Sequence, residues 1–308
     1  MIDVHIVREL TVTDLRGASG DDAPSHLSAA SGLARIGQRL YVVADDEHAL
    51  GVFDLADAGP GTLIALFDGE LPALHAARKK AKPDLESLAV LPAYPGQAGG
   101  ALLAVGSGSR PNRQRAVLVG LDAHGALAGA PQHFDFAPLF DAVREHIAEP
   151  NIEGAFIDGG DFCLLQRGHA RVPLNACMRW AWHEVEAWLR AAGPAPAIAS
   201  IHRFELGALG GVPLGFTDGA ALPGGGWVFC AAAEDTDDSF ADGRCAGSAL
   251  GWVDAAGALR RLQPLALRCK VEGISAAADG ASAQLWLVTD ADDRGTPALL
   301  LTASLSLA

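Results

Sequence analysis

A short signature recurs five times along the 308-residue chain, and its recurrence limits the fold more than any other feature. "NIEGAF" (151–156) and "VEGIS" (271–275) set a carboxylate before a glycine at the head of an apolar run. "LESLA" (85–89) and "TDGAA" (217–221) are close variants, and "ASGLA" (30–34) is a weaker one. Aligning the five makes Ser31, Glu86, Glu153, Asp218 and Glu272 equivalent, 54 to 67 residues apart. A carboxylate is costly to bury without a partner, so its repeated place at the start of hydrophobic segments marks a position with a common job.

Each signature leads into a turn and a second apolar run with a polar tail: "RLYVVADD", "ALLAVGSGS", "DFCLLQRG", "GWVFCAAAEDT" and "QLWLVTDADD". Short runs rich in Val, Leu and aromatics, closed by polar clusters, are strand signals. Most repeats offer a third strand ("ALGVFDL", "AVLVGLD", "SALGWVD", "ALLLTASL") and some a fourth ("IASIHRFEL"). Four antiparallel strands repeated radially predict an all-β, closed β-propeller. It would be one domain over residues 1–308 with five blades, the long second and third repeats leaving six as the alternative. These repeats exceed the roughly 40–45 residues of a WD40 blade, so large loops are expected. "APLFDAVREHI" (137–147) and "WHEVEAWLRAAG" (182–193) carry helical spacing, the second running to Gly193. The last repeat ends after its third strand, and an orphan strand, "DVHIVREL", precedes the first. Pairing the two would complete the last blade and remove a sheet edge.

The charge balance narrows the partners. Thirty-seven acidic residues against 23 basic ones give a net charge of -14, which opposes binding to a phosphate backbone. It suits a protein that takes cations or small ligands in a local pocket. The opening "MIDVHIVREL" has no basic leader or apolar core, and no apolar run approaches a bilayer span, so a cytoplasmic protein with no membrane partner is expected. Five cysteines without a C-x-x-C pair read as reduced thiols. "MRWAWH" alternates Met178, Trp180 and Trp182, a pattern of sheet packing.

"SGLARIGQRLYVVADDEHALGVFDL", "DLESLAVLP…LLAVGSGS", "NIEGAF" and "VEGIS…LWLVTDADD" resemble bacterial β-propellers of the phytase-like and esterase-like group and the related SdiA-regulated type. The resemblance covers roughly residues 26–303. It implies the propeller fold and a ligand or metal site around the central channel, with hydrolytic chemistry in some members. Ser31 departs from the pattern, standing where the other repeats have a carboxylate.

In a propeller the first strand of each blade lines the channel, so Glu86, Glu153, Asp218 and Glu272 are expected to converge there. Crowded carboxylates repel unless a cation lies among them, and Ca²⁺ accepts six to eight oxygen ligands in flexible geometry. The alternative is that these carboxylates accept backbone N–H bonds from a neighbouring blade. The polar tails would gather at one rim, making Asp45, Ser107, Ser109, Arg110, Arg113, Arg167 and Asp290 candidate ligand-binding residues. In "GSGSRPNRQR", glycine-exposed amides and arginines would suit a phosphate or carboxylate. "DADDRG" (290–295) opens like an EF-hand loop, but Arg294 takes a ligand position and Leu301 replaces the closing glutamate. Two functions fit: a Ca²⁺-assisted hydrolase of a small anionic ester, or a non-catalytic propeller that binds a ligand or protein.

Overall fold

The computed structural model describes residues 1–13, 26–169, 172–191, 193–235 and 243–308. After β1 (Val4–Glu9) and β2 (Val12–Thr13), blade 1 comprises β3 (Ala30–Ile36), β4 (Arg39–Ala44), β5 (Ala49–Asp54) and β6 (Gly61–Ala65). Helix α1 (His75–Ala81) leads to blade 2, with β7 (Leu85–Leu91), β8 (Ala101–Gly106), β9 (Arg115–Leu121) and β10 (Leu127–Asp135). Helix α2 (Ala137–Arg144) precedes blade 3, made of β11 (Ile152–Asp158), β12 (Asp161–Gln166), β13 (Asn175–Ala181) and, beyond α3 (Trp182–Arg190), β14 (Ser200–Phe204). Blade 4 holds β15 (Ala208–Leu209), β16 (Val212–Ala221), β17 (Trp227–Asp235), β18 (Arg244–Val253) and β19 (Leu259–Pro264). Blade 5 holds β20 (Lys270–Asp279), β21 (Ser282–Asp290) and β22 (Leu299–Ser306).

These are the sheets of a five-bladed propeller, not a six-bladed one. The orphan strand closes the ring as its position predicts: β1 pairs antiparallel with β22 as the outer strand of blade 5. The chain then continues into β2, which lies parallel to β6 on the outside of blade 1. The N-terminal segment therefore caps the edges of two neighbouring sheets. Both predicted helices form, and α1 is an addition that strand periodicity did not signal.

Middle strands are apolar throughout because both their faces are covered. In β4, Leu40, Val42 and Ala44 pack toward blade 5, while Tyr41 and Val43 pack toward blade 2. In β12, Phe162 and Leu164 join blade 2, while Cys163 and Leu165 join blade 4. Alternation thus sends side chains to two buried interfaces rather than to core and solvent. Met178 and Trp180 lie fully buried between blades 2 and 3, as the "MRWAWH" alternation predicts, whereas Trp182 is half-buried and opens α3 instead of continuing the strand.

Each innermost strand breaks register near its start, where one extra residue is left unpaired against the second strand. That residue is Ser31 in β3, Glu86 in β7, Glu153 in β11 and Glu272 in β20. In β16 it is Thr217, so the fourth repeat aligns one residue earlier than its "TDG" signature implies. Asp218 instead occupies the position of Gly32, Ser87, Gly154 and Gly273, which faces the next blade. A Cβ on Gly32 would lie 2.8 Å from the Leu88 nitrogen, and one on Gly154 would lie 3.1 Å from the Asp218 Cα. Backbones approach too closely there for most side chains, which explains the glycine after the carboxylate. Asp218 serves this position differently: its carboxylate accepts the backbone N–H groups of Ile274 (3.0 Å) and Gly219 (2.7 Å). Asp218 thus tacks blade 4 to blade 5 and is not one of the channel carboxylates, correcting its expected role as a metal ligand.

Candidate cation and ligand site at the channel mouth

The inner strands and the ends of the second strands bring the candidate residues to one level. Asp45, Ser107 and Arg167 each follow a second strand and donate their backbone N–H to the inner segment of their own blade, to Ala29, Asp84 and Asn151 respectively. Asp290 pairs directly with Lys270 in blade 5. Four of the rim residues therefore stand beside the bulged residues of their own blades instead of in separate loops.

Two of those carboxylates are matched by cations the chain itself supplies. Arg167 reaches Glu234 at 2.6 Å, Glu153 at 3.3 Å and Glu272 at 3.5 Å. Lys270 lies 3.1 Å from Glu272, 3.2 Å from Asp290 and 2.7 Å from Asp292. Asn151 Nδ2 donates to Glu153 Oε1 at 2.6 Å. Burial opposes charge on Arg167, but the three surrounding glutamates outweigh it and hold the guanidinium firmly protonated. Desolvated ions persist only when paired in this way. Glu153 and Glu272 thus belong to an ion-pair lattice across blades 3, 4 and 5, and Arg167 is its centre.

The opposite side of the mouth differs. Lys82, just past α1, bonds Asp45 through a short contact and lies 2.9 Å from Asp84. Asp84 adopts φ +57°, a conformation Asp tolerates better than most side chains. Its carboxylate also takes bonds from Ser107 Oγ (2.6 Å) and Arg113 Nη1 (2.7 Å). Burial would raise the Asp84 pKa, but Lys82, Arg113 and Ser107 together bring it below the usual carboxylate value. One oxygen each from Asp45, Asp84 and Glu86 lies within 4.8 Å of the others. Glu86 is only 8% exposed, yet no ion-pair or hydrogen-bond partner meets its carboxylate among the described residues. Burial, then the carboxylates of Asp84, Glu153 and Asp45, push its pKa well upward.

Of this trio, Asp45 lines a cleft between blades 5 and 1 and α1, about 520 Å³ including solvent at its opening. Ser28, Asp45, Arg78, Lys82, Asp290 and Arg294 line much of it. Arg78 and Arg294 share Asp46 and Glu47, with contacts of 2.5 to 3.7 Å. Burial and the adjacent Asp45 and Glu47 outweigh both guanidiniums and push the Asp46 carboxyl up to about 7.

The "GSGSRPNRQR" loop is not an open anion cradle. Ser107 Oγ and Ser109 Oγ lie 2.8 Å apart, Arg113 bonds Ser109 Oγ at 3.2 Å, and Arg113 Nη2 caps the Lys79 carbonyl at 3.0 Å. The loop's polar atoms are spent on fixing Asp84 and the end of α1, while Arg110 is exposed at its tip. Sequence reasoning missed Lys82, Asp84 and Lys270. A signal was present: "KPDLE" and "KVE" place charges two residues before the bulge, the spacing that returns side chains to one face of a strand.

No helix among the described residues is long and apolar enough to cross a membrane. No curated protein matches the chain by sequence. Among solved structures, the catalytic domain of Coprinopsis cinerea GH62 α-L-arabinofuranosidase is similar over 98% of this chain and 97% of its own, at 13% identity and TM-score 0.51. Myxococcus xanthus glutaminyl cyclase is similar over 99% and 98%, at 10% identity and TM-score 0.48. A Xanthomonas campestris gluconolactonase is similar over 90% and 72%, at 12% identity and TM-score 0.42. At 13% identity the likeness to the arabinofuranosidase domain is one of fold. None of these comparisons names a phytase-like, esterase-like or SdiA-regulated propeller. The family described as "Family of unknown function (DUF6929)" matches residues 26–305, and the chain belongs to it.

Proposed function

We propose that the protein is a hydrolase of small anionic esters that works with a divalent cation held by Asp45, Asp84 and Glu86. The observation that carries this reading is the convergence of three carboxylates, Glu86 among them buried with no ion-pair or hydrogen-bond contact and Asp45 lining an open cleft. The donor set is all oxygen, which fits a hard ion such as Ca²⁺. When bound, such an ion polarises a carbonyl or phosphoryl oxygen and acidifies water. Ser107 and Arg113 keep the Asp84 carboxylate ionised and oriented. Arg78 and Arg294, on the cleft wall, supply positive charge for the anionic end of a substrate. Glu153 and Glu272 contribute through Arg167 and Lys270, which keep the far side of the mouth rigid.

The test is calorimetric titration of wild type and Glu86→Gln with Ca²⁺ and Mg²⁺, followed by assays with chromogenic phosphate and carboxylate esters in metal and in chelator. Cation uptake that weakens in Glu86→Gln, with chelator-sensitive turnover, supports the reading. Uptake without turnover favours the second reading, a ligand-binding propeller, which the ready-made Lys82 ion pairs also fit. No uptake ends the hydrolase proposal.

A further inference from the structure

Resting on the reading of Asp45, Asp84 and Glu86 as a cation site, we infer that Lys82 is its specificity-determining residue, a tethered ammonium that holds the site until a divalent ion displaces it. The ammonium is the only cation within bonding distance of both Asp45 and Asp84 among the described residues. It makes no ion-pair contact with Glu86, 8% exposed, and with Arg113 on Asp84 two positive charges face three carboxylates, so exchanging the ammonium for a divalent ion would bring the cluster to neutrality. An ion of charge two compensates that cluster better than an ammonium can.

The surroundings permit the exchange. The backbone at Lys82 is fixed, because Asn112 Nδ2 bonds the carbonyls of Lys80 (3.2 Å) and Lys82 (3.0 Å) and Arg113 bonds that of Lys79. Only the flexible four-carbon side chain has to move, and Lys82 lines the cleft into which it would swing. Asp46, Asp290 and Asp292 line the same cleft and offer acceptors for the displaced ammonium. A tethered group competes at an effective concentration in the millimolar range or above. A monovalent ion, with the same charge and no tether, gains nothing by replacing it. Lys82 therefore excludes Na⁺ and K⁺ and sets the threshold for divalent entry.

Two measurements test this. Lys82→Met, prepared in Ca²⁺ and titrated after dialysis, should bind Ca²⁺ at least tenfold more tightly than wild type and gain thermal stability from Na⁺. Lys82→Arg, which keeps the charge, should stay within about threefold of wild type. The second measurement uses the wild type alone, so it does not depend on a variant folding. Labelling by an amine-reactive reagent, read by mass spectrometry, should rise several-fold at Lys82 when Ca²⁺ is added. If wild type binds Ca²⁺ but Lys82→Met binds it no more tightly, or Lys82 labelling does not change, the inference is overturned while the cation site stands. If Lys82→Arg tightens as much as Lys82→Met, loss of packing rather than of charge is the cause, and the inference also falls. If neither wild type nor Lys82→Met takes up Ca²⁺, the site and the inference fail together.

Discussion

Replacing Arg167 by Met tests the ion-pair lattice most directly. The guanidinium is 12% exposed and touches three carboxylates that are 5 to 8% exposed. Methionine fills much of the same volume but leaves Glu153, Glu234 and Glu272 facing one another, with Lys270 still within 3.9 Å of Glu234 and 3.1 Å of Glu272. Removing one partner from a buried pair costs about 3–5 kcal/mol. With an unfolding entropy of about 2.1 cal/mol/K per residue, each kcal/mol shifts the melting temperature of a chain this size by roughly 1.5 °C. The expected loss is therefore about 5–8 °C at pH 8. The deficit should shrink with acid, and the sign is fixed by linkage. The stranded carboxylates have folded-state pKa values above their unfolded ones, so they favour folding at low pH and lose that contribution as pH rises through the folded values. Differential scanning calorimetry of both proteins at pH 5 and pH 8 measures the gap. A gap under about 1 °C, or one of equal size at both pH values, would refute the reasoning that Arg167 neutralises the far side of the channel.

Deleting residues 1–12 removes β1 and half of β2 and bares the edges of β22 and β6, so the melting temperature should fall and aggregation should rise; unchanged melting would rule out this closure. Asp218→Ala orphans the amides of Ile274 and Gly219, each costing about 1–3 kcal/mol, and denaturant titration should show the same loss in Ca²⁺ and in chelator. Gly32→Ala forces a methyl against backbone atoms of Ser87 and Leu88 and should cost about 1–3 kcal/mol, whereas a neutral result would mean blades 1 and 2 separate freely. Asp46, with its carboxyl pushed up to about 7, favours folding below pH 4 and loses that contribution as pH rises toward 7. Asp46→Asn should therefore gain on wild type between pH 5 and pH 8, by at most about 1.4 kcal/mol per pH unit, and parallel urea curves at the two pH values would expose the opposite trend.

The blades were legible because packing on both faces forces runs such as "RLYVVA" and "WVFCAAA" to stay apolar from end to end, and the repeat spacing does the rest. Closure was legible for a related reason: a lone strand at one end and a three-strand blade at the other have one economical pairing. Helix α1 was not, since "HAARKKA" buries only Arg78 and carries no apolar stripe. The fourth repeat misled by one residue. Its "TDG" copies the carboxylate–glycine pair of "IEG", but the bulge falls on Thr217, whose hydroxyl bonds the Val271 carbonyl at 2.7 Å. A motif reports residue types, while a bulge reports which of them leaves the ladder, and only coordinates separate the two.

The same distinction governs the site. Glutamates that look equivalent in sequence meet different fates because the residue two places earlier differs. Before Glu272 stands Lys270, which neutralises it directly; before Glu153 stands Asn151, which donates one bond and leaves Arg167 to supply the charge. Before Glu86 stands Asp84, a second carboxylate, so that blade adds negative charge where its neighbours remove it. Arg113 and Lys82 both pair with Asp84, and Lys82 acts on Glu86 only through space, not by direct contact. The asymmetry between Lys270, Asn151 and Asp84 divides a ring of similar glutamates into two that a cation contacts directly and one, Glu86, that none contacts among the described residues. A cation has a reason to bind at only one of these glutamates, and Glu86→Gln should alter metal uptake where Glu153→Gln alters only stability.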